Sequence, residues 1–110
     1  MRTYVEPTEI SKDEFAQTIA SGSIESKCDA IVRAVHSIPD YDWLISEFSK
    51  LINDPDHQIR GVTVTCIGHI ARLHKYSDKQ QLLQIVEPLL SDSEIGGRVE
   101  DAIDDINTFL

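Results

Sequence analysis

Carboxylates near the C-terminal end are the side chains in this sequence whose spacing most favours a binding function. They are Glu100, Asp101, Asp104 and Asp105. Because they lie one, three and four residues apart, they fall on one flank of a helix. Like charges at this spacing destabilise a helix by roughly 0.2 to 0.5 kcal/mol per pair, and a cationic partner would relieve that repulsion. The alternative is a solvated face that caps a helical stack, and both interpretations stay open.

A second cluster combines aromatic and acidic residues: Asp40, Tyr41, Asp42, Trp43 and Glu47. Tyrosine and tryptophan often anchor protein interfaces, and carboxylates beside them suit a partner that presents Arg or Lys. Trp43 also lies near an apolar stripe, where it would be a core residue, whereas Asp40 and Asp42 would favour a helix N-terminus. We expect Tyr41 and Asp42 to face outward. Partner binding is therefore predicted for Tyr41, Asp42, Trp43 and Glu47, together with the four C-terminal carboxylates.

The histidines and cysteines do not have the spacing of a metal site. None of the histidines forms an i, i+4 pair with another, and the two cysteines have no CxxC spacing. Cys66 and His69 are three residues apart, but Cys66 belongs to a predicted core stripe. We predict no metal, buried thiols of structural type, and histidines at the surface or its boundary; the residues concerned are Cys28, Cys66, His36, His57, His69 and His74.

Catalytic signatures are absent from the sequence. It contains no glycine-rich phosphate loop, no GxSxG motif and no HExxH motif. Acid–base catalysis requires a carboxyl group in an apolar cleft, whereas the carboxylates here fall on predicted solvent faces. We therefore predict a protein that is not an enzyme, with no cofactor and no small-molecule substrate.

The overall charge narrows the class of partner. The 110 residues include 19 acidic and 10 basic residues, giving a formal net charge of −9. Such a charge repels nucleic acid and attracts basic protein surfaces, although a well-solvated surface would produce it too. No apolar run approaches the roughly 20 residues that span a bilayer, and no signal-peptide core is present. We expect a cytoplasmic protein that binds neither nucleic acid nor membrane.

Six helical segments follow from capping residues and a 3.6-residue apolar period. The fifth contains Pro88, which should bend its last turn without abolishing the helix. The predicted segments run from Ser11 to near Gly22, from Ser23 to about Ser37, from Asp40 to about Ile52, from Asp56 to about His74, onward from Asp78, and from Ser93 to about Phe109.

The stretch IRGVTVTCI also alternates with a period of two, so a β-strand has to be considered there. Helix is preferred because Asp54-Pro55-Asp56 is a good helix start and Ile67, Ile70 and Leu73 continue the helical spacing.

The apolar pattern repeats along the chain. The series Ile59, Thr63, Cys66, Ile67 and Ile70 recurs 36 residues later as Ile95, Val99, Ala102, Ile103 and Ile106. The first series also matches a series of residues that lies 35 residues earlier. The helices that alternate with these repeat at an interval of 38 residues. Paired helices at this period predict one all-α domain over residues 1–110: a short α-solenoid of antiparallel pairs, about two and a half repeats plus a short N-terminal helix.

Specific residues within the repeat resemble a known family. Asp54-Pro55-Asp56, Ile59-Arg60, Cys66-Ile67-Gly68 and Ile70 resemble the first helix of a HEAT repeat, although the arginine is absent at the aligned positions Glu25 and Gly96. The segments GRVEDAIDDINTFL and IRGVTVTCIGHIARLH also resemble small bacterial HEAT-like immunity proteins of contact-dependent growth inhibition and polymorphic toxin systems. That resemblance implies a cytosolic protein that blocks the toxic domain of a delivered effector, often a nuclease.

The leading hypothesis is an immunity protein that neutralises a cognate, basic toxin domain by occluding it with an acidic surface. A generic scaffold or adaptor that binds a peptide or helix is the first alternative. A helical-repeat lyase for phycobilin attachment is the second, and the neighbouring genes would discriminate among the three.

Overall fold

A computed structural model describes residues 8–74 and 76–110, and every regular element in those residues is a helix. The elements are α1 (Lys12–Ser21), α2 (Ile24–Ser37), α3 (Tyr41–Leu51), α4 (His57–Leu73), α5 (Lys79–Val86), a 3₁₀ helix (Glu87–Ser91) and α6 (Gly96–Phe109). The predicted all-α class is confirmed, and the IRGVTVTCI stretch lies inside α4. None of the described helices is long and apolar enough to cross a membrane.

Local hydrogen bonds at the predicted capping residues start five of the six α-helices. The side chains of Ser11, Ser23, Asp40, Asp56 and Asp78 each accept a hydrogen bond from a backbone amide two or three residues ahead. Each bond satisfies an amide that has no carbonyl partner in the first turn. Helix starts are thus encoded within a few residues of the chain.

Ser11 and Glu14 have the spacing of a capping box, but only one of its two hydrogen bonds is formed. Ser11 Oγ accepts from the Glu14 amide at 3.0 Å, but the Glu14 carboxylate lies 3.4 Å from Arg33 of α2. A tertiary ion pair has replaced the local bond. The Glu14 side chain therefore links α1 to α2.

The predicted start of the last helix at Ser93 is wrong. The Asp92 carboxylate accepts from the Glu94 amide at 2.9 Å, and the Gly96 amide donates to the Asp92 carbonyl at 2.9 Å. These bonds close a turn, so α6 begins only at Gly96. Pro88 changes the last turn without abolishing the helix, as expected. The chain remains helical beyond Val86 but tightens into the 3₁₀ helix.

Helices α2, α4 and α6 form one layer with α4 in the middle. α4 packs on both α2 and α6, and Gly61 and Gly68 of α4 face Arg98 and Ala102 of α6 in the same order, so these two helices run parallel. α1 packs on α2, α3 on α4, and α5 with the 3₁₀ helix on α6. This is the repeat-like stack that the period of about 36 residues predicts.

The core is formed mainly by the repeating apolar positions. Side chains from all six α-helices contribute, and the largest fully buried ones are Phe15, Ile31, Val35, Leu44, Phe48, Ile59, Val64, Ile67, Ile70, Leu82, Val86 and Ile106. Burial weakens toward the end of the stack: Ile67 is fully buried, whereas its equivalent Ile103 is only partly buried.

Close contact between α4 and α6 depends on glycine. A Cβ atom on Gly68 would lie 3.1 Å from the Cα of Ala102, whereas one on Gly97 would meet no atom within 4 Å. We expect Gly68→Val to lower the free energy of unfolding by about 2 kcal/mol, because overpacking against backbone forces the helices apart. Gly97→Val, the matched control, should change it by less than about 0.5 kcal/mol. Urea denaturation measures both, and equal effects would contradict this account.

Candidate partner-binding surfaces

Trp43 of the α3 cluster, defined as Tyr41, Asp42, Trp43 and Glu47, is partly a structural residue. Its ring meets Phe15 of α1 edge to face, with 5.1 Å between the ring centroids. The Lys12 ammonium lies 5.6 Å from the Trp43 ring centroid and 2.7 Å from the Asp40 carboxylate. The contact with Lys12 lowers the pKa of Asp40, and so does the hydrogen bond that the Asp40 carboxylate accepts from the Trp43 backbone amide. Half-buried Trp43 thus joins α1 to α3 while keeping one part at the surface.

Tyr41 does not extend freely outward as expected. Its hydroxyl donates to Gln81 Oε1 at 2.7 Å and accepts from the Asp78 amide at 3.1 Å, so it joins α3 to the start of α5. A half-buried phenol needs such partners, because burial without hydrogen bonds is costly. Burial also raises the pKa of Tyr41, and the negative charges of Asp78 and Asp42 raise it further. The hydrogen bond from the Asp78 amide lowers the pKa, but its effect is smaller than that of burial.

The two acidic members of the α3 cluster differ in environment. Asp42 is exposed, in agreement with the expected outward orientation. Glu47 is half-buried, and its carboxylate lies 3.3 Å from Lys50 one turn later. Because the Lys50 side chain is largely exposed, this ion pair contributes little to stability. Asp42 is therefore the more available carboxylate for an external cation.

The α6 carboxylates are defined as Glu100, Asp101, Asp104 and Asp105, and they differ in exposure. The first three are exposed, whereas Asp105 is half-buried. An Asp105 oxygen lies 3.1 Å from the position of a Cβ on Gly68, so this side chain leans on α4. Both α3 and α6 pack on α4. Within the described residues, α3 and α6 have no substantial contact with each other. The two predicted clusters are therefore carried by separate parts of the stack.

Comparison with α4 shows what kind of surface two of these carboxylates occupy. Glu100 and Asp104 stand 36 residues after Val64 and Gly68, which are both buried, and Gly68 lies against α6. No described helix covers the equivalent side of α6, and carboxylates replace the apolar and small residues there. Glu100 and Asp104 thus form the polar end face of the stack, which is open to a partner and unsuited to a further apolar repeat.

The thiols are buried or half-buried, and the histidines lie at the surface or at its boundary. Burial raises the pKa of Cys66 to about 12 and also raises that of half-buried Cys28, and both cysteines are free thiols. Burial is the main reason why the pKa of His69 is lowered, and the positive charge of Arg72 lowers it further. The negative charge of Asp105 raises it. Across residues 8–74 and 76–110, no three His, Cys, Asp or Glu side chains are grouped so that they could hold a metal ion.

Two groups of functional interest were missed by sequence reasoning. Arg60 joins the turn before α4 to the turn before α6, with Asp92 and Glu94 each 3.2 Å away. Three glutamines of α5, one of them bonded to Tyr41, line a polar concavity with Asp78. Only the Arg60 position carried a sequence signal, through its resemblance to a HEAT repeat. Surface glutamines give none.

The fold matches a chain in a solved structure described as the crystal structure of a CDI complex from Cupriavidus taiwanensis LMG 19424. The TM-score is 0.88 and the sequence identity is 27%, over 99% of this chain and 98% of that chain. No family model matches the sequence, and no curated protein matches it. The similarity extends over nearly the whole of both chains, so it concerns the complete helical stack.

Proposed function

We propose that this chain is an immunity protein, which binds a cognate toxin domain and neutralises it. The observation that carries the proposal is the match, over nearly the full length of both chains, to a chain of a CDI complex. We take CDI as contact-dependent growth inhibition, the system that the sequence resemblance named independently. The partner is accordingly a protein toxin delivered into the cell, and the site of action is the cytoplasm.

Charge favours the immunity side of such a pair. The chain carries a formal net charge of −9, which would oppose binding to a nucleic-acid substrate and favour binding to a basic protein. A nuclease that recognises phosphates presents cationic groups, and exposed carboxylates can occupy those groups in place of phosphate. The protein therefore acts by binding and occlusion, without catalysis of its own.

Two exposed acidic surfaces support this mechanism. One contains Asp42 beside Tyr41, and the other contains Glu100, Asp101 and Asp104. Complementary charge speeds encounter and orients the partners, to about 10⁸ M⁻¹s⁻¹ or more at low salt. Rapid capture suits a protein that has to act before the toxin does.

We also assign the helix pairs to the HEAT-like class. The support is the arginine of the central repeat: Arg60 donates to the carbonyls of Asp54 and Pro55, at 3.0 Å each, and reaches Asp92 of the next turn. An arginine that links successive inter-helix turns supports the resemblance that the sequence shows at Ile59-Arg60.

The test begins with the effector gene that the proposal expects beside the gene for this chain, and then uses the toxin domain that this gene encodes. Co-expression should protect cells from that domain, and the association rate in stopped flow should fall at least about tenfold between low and high salt. A dipolar additive at matched osmolality controls for solute effects. Absence of both protection and binding would refute the immunity assignment, and a salt-independent rate would refute charge-driven capture.

A further inference from the structure

Two histidines meet across the seam between α2 and α4. The ring centroids of His36 on α2 and His69 on α4 are 6.2 Å apart, and His36 is exposed whereas His69 is half-buried. A second contact crosses the same seam, with 3.2 Å between His74 Nε2 and the carbonyl oxygen of Val35. Within the described chain α2 packs on α1 and on α4, so this seam is the main junction between the first two helices and the rest of the stack.

His69 is placed so that a second proton on its ring is costly. The Nδ1 atom is buried and has no hydrogen-bond partner among the described residues. A protonated imidazole carries an N–H on both ring nitrogens, so proton uptake would leave a charged N–H donor unpaired at this position or force the ring to move. The neutral ring with its proton on Nε2 leaves only an unpaired acceptor there. The contact in the seam is therefore built for neutral His69.

The charged and titratable groups that face His69 come from three helices. They are Arg72 on α4 itself, His36 on α2 and Asp105 on α6. Burial, Arg72 and His36 lower the pKa of His69 from its ordinary value of 6.5, in that order of importance except that the opposing effect of Asp105 is larger than that of His36. α3 and α5 also pack on α4, but in the described chain none of their titratable groups is among those that act on His69.

We propose that the contact between His36 and His69 makes the α2–α4 seam acid-sensitive, so that proton uptake by the pair loosens α2, together with α1, from the rest of the stack. Two imidazolium rings at this separation repel each other, and Arg72 adds a third positive charge. The device belongs to the chain by itself and does not rest on the proposed function.

Proton linkage gives the direction of the effect. An unfolded histidine takes up a proton near pH 6.5, before folded His69 does, because the folded state holds the pKa of His69 below that value. Protons therefore favour the unfolded chain. The stability that neutral His69 confers is fully present above about pH 6.5 and is lost as the pH falls below it.

An NMR pH titration of the full chain tests the coupling of the two rings. The imidazole signals of His69 should titrate below pH 6.5, and His36→Gln should raise their midpoint, because it removes a like charge beside His69. His57→Gln is the control, since His57 lies 3.3 Å from Glu94 and outside the seam, and it should leave the midpoint of His69 unchanged. A wild-type midpoint at or above pH 6.5, or the same midpoint in both variants, would overturn the proposal.

Thermal unfolding tests the effect on the seam. Between about pH 7.5 and about pH 5.5, the Tm of the wild type and of His57→Gln should fall about 5 °C more than that of His69→Gln. Each protein is compared with itself at the two pH values, so a constant cost of the substitution cancels. Equal falls in the wild type and His69→Gln would contradict the proposal. If His69→Gln does not fold, His36→Gln takes its place, and its Tm should also fall less than that of the wild type.

Hydrogen exchange at the same two pH values locates the loosening. Amides of α2 should lose more protection in acid than amides of α5, which lies on the far side of α4 in the chain order and packs on α6. An equal loss of protection in α2 and α5 would show that acid acts on the whole stack and not on the seam.

Discussion

Replacement of Arg60 by alanine is expected to lower the free energy of unfolding by about 3 kcal/mol, because it removes several hydrogen bonds of a charged donor at once. The guanidinium donates to the carbonyls of Asp54 and Pro55 and to the carboxylates of Asp92 and Glu94. The Arg60 side chain is only 14% exposed, so water cannot replace all of these bonds.

The loss should be specific to the turns that Arg60 connects. Without the guanidinium, the turn before α4 and the turn before α6 lose their common donor, and the Asp54 carbonyl is left without that partner. Arg60→Lys should recover only part of the stability, because an ammonium cannot reproduce the fork of the guanidinium.

Thermal and urea denaturation of Arg60→Ala measure this effect. Arg72→Ala is the control, since Arg72 lies on the same helix but is exposed, and its substitution should cost less than about 0.5 kcal/mol. Hydrogen exchange should show the extra loss of protection at the start of α6. If Arg60→Ala and Arg72→Ala are equally stable, Arg60 does not hold the two turns together.

Charge reversal on the end face of α6 should have the largest effect on partner binding. The double variant Glu100→Lys and Asp104→Lys changes two exposed carboxylates one turn apart. If the end face contacts a basic toxin, each new lysine opposes a cation, and affinity should fall about 100-fold, or about 2.8 kcal/mol. Much of that loss should appear as a slower association at low salt.

A matched control is available on α2. Glu25→Lys and Asp29→Lys alter two exposed carboxylates at the same i, i+4 spacing, and they change the net charge by the same amount. This control should reduce affinity only a few-fold, through the general loss of negative charge. Binding by the α6 variant that equals binding by the α2 variant would show that the end face serves only as a polar cap. Circular dichroism of both variants verifies that the helices remain folded.

The candidate site was predicted only in part. Sequence spacing correctly placed Asp42, Glu100, Asp101 and Asp104 at the surface, because polar residues opposite an apolar stripe have to be solvated. It did not show that the Tyr41 hydroxyl bonds to α5, since that contact joins residues 40 positions apart. The role of these surface carboxylates in binding stays a prediction, which the variants described above test.

Local chemistry in the sequence alone determined where most helices begin. Ser11, Ser23, Asp40, Asp56 and Asp78 accept hydrogen bonds from amides only two or three residues away, so no distant partner is needed. The period of about 36 residues likewise required helix pairs to stack, because each apolar stripe is buried only against a neighbouring pair.

Tertiary packing alone decided which polar groups meet. Glu14 bonds to Arg33 instead of completing its local capping box, and Arg60 reaches a turn more than 30 residues away. The same packing buries Gly68 beneath α6 while leaving its equivalent Asp104 exposed. Such outcomes depend on distances between helices, which the periodicity of one chain does not specify. The helix starts, by contrast, depend on residues within a single turn.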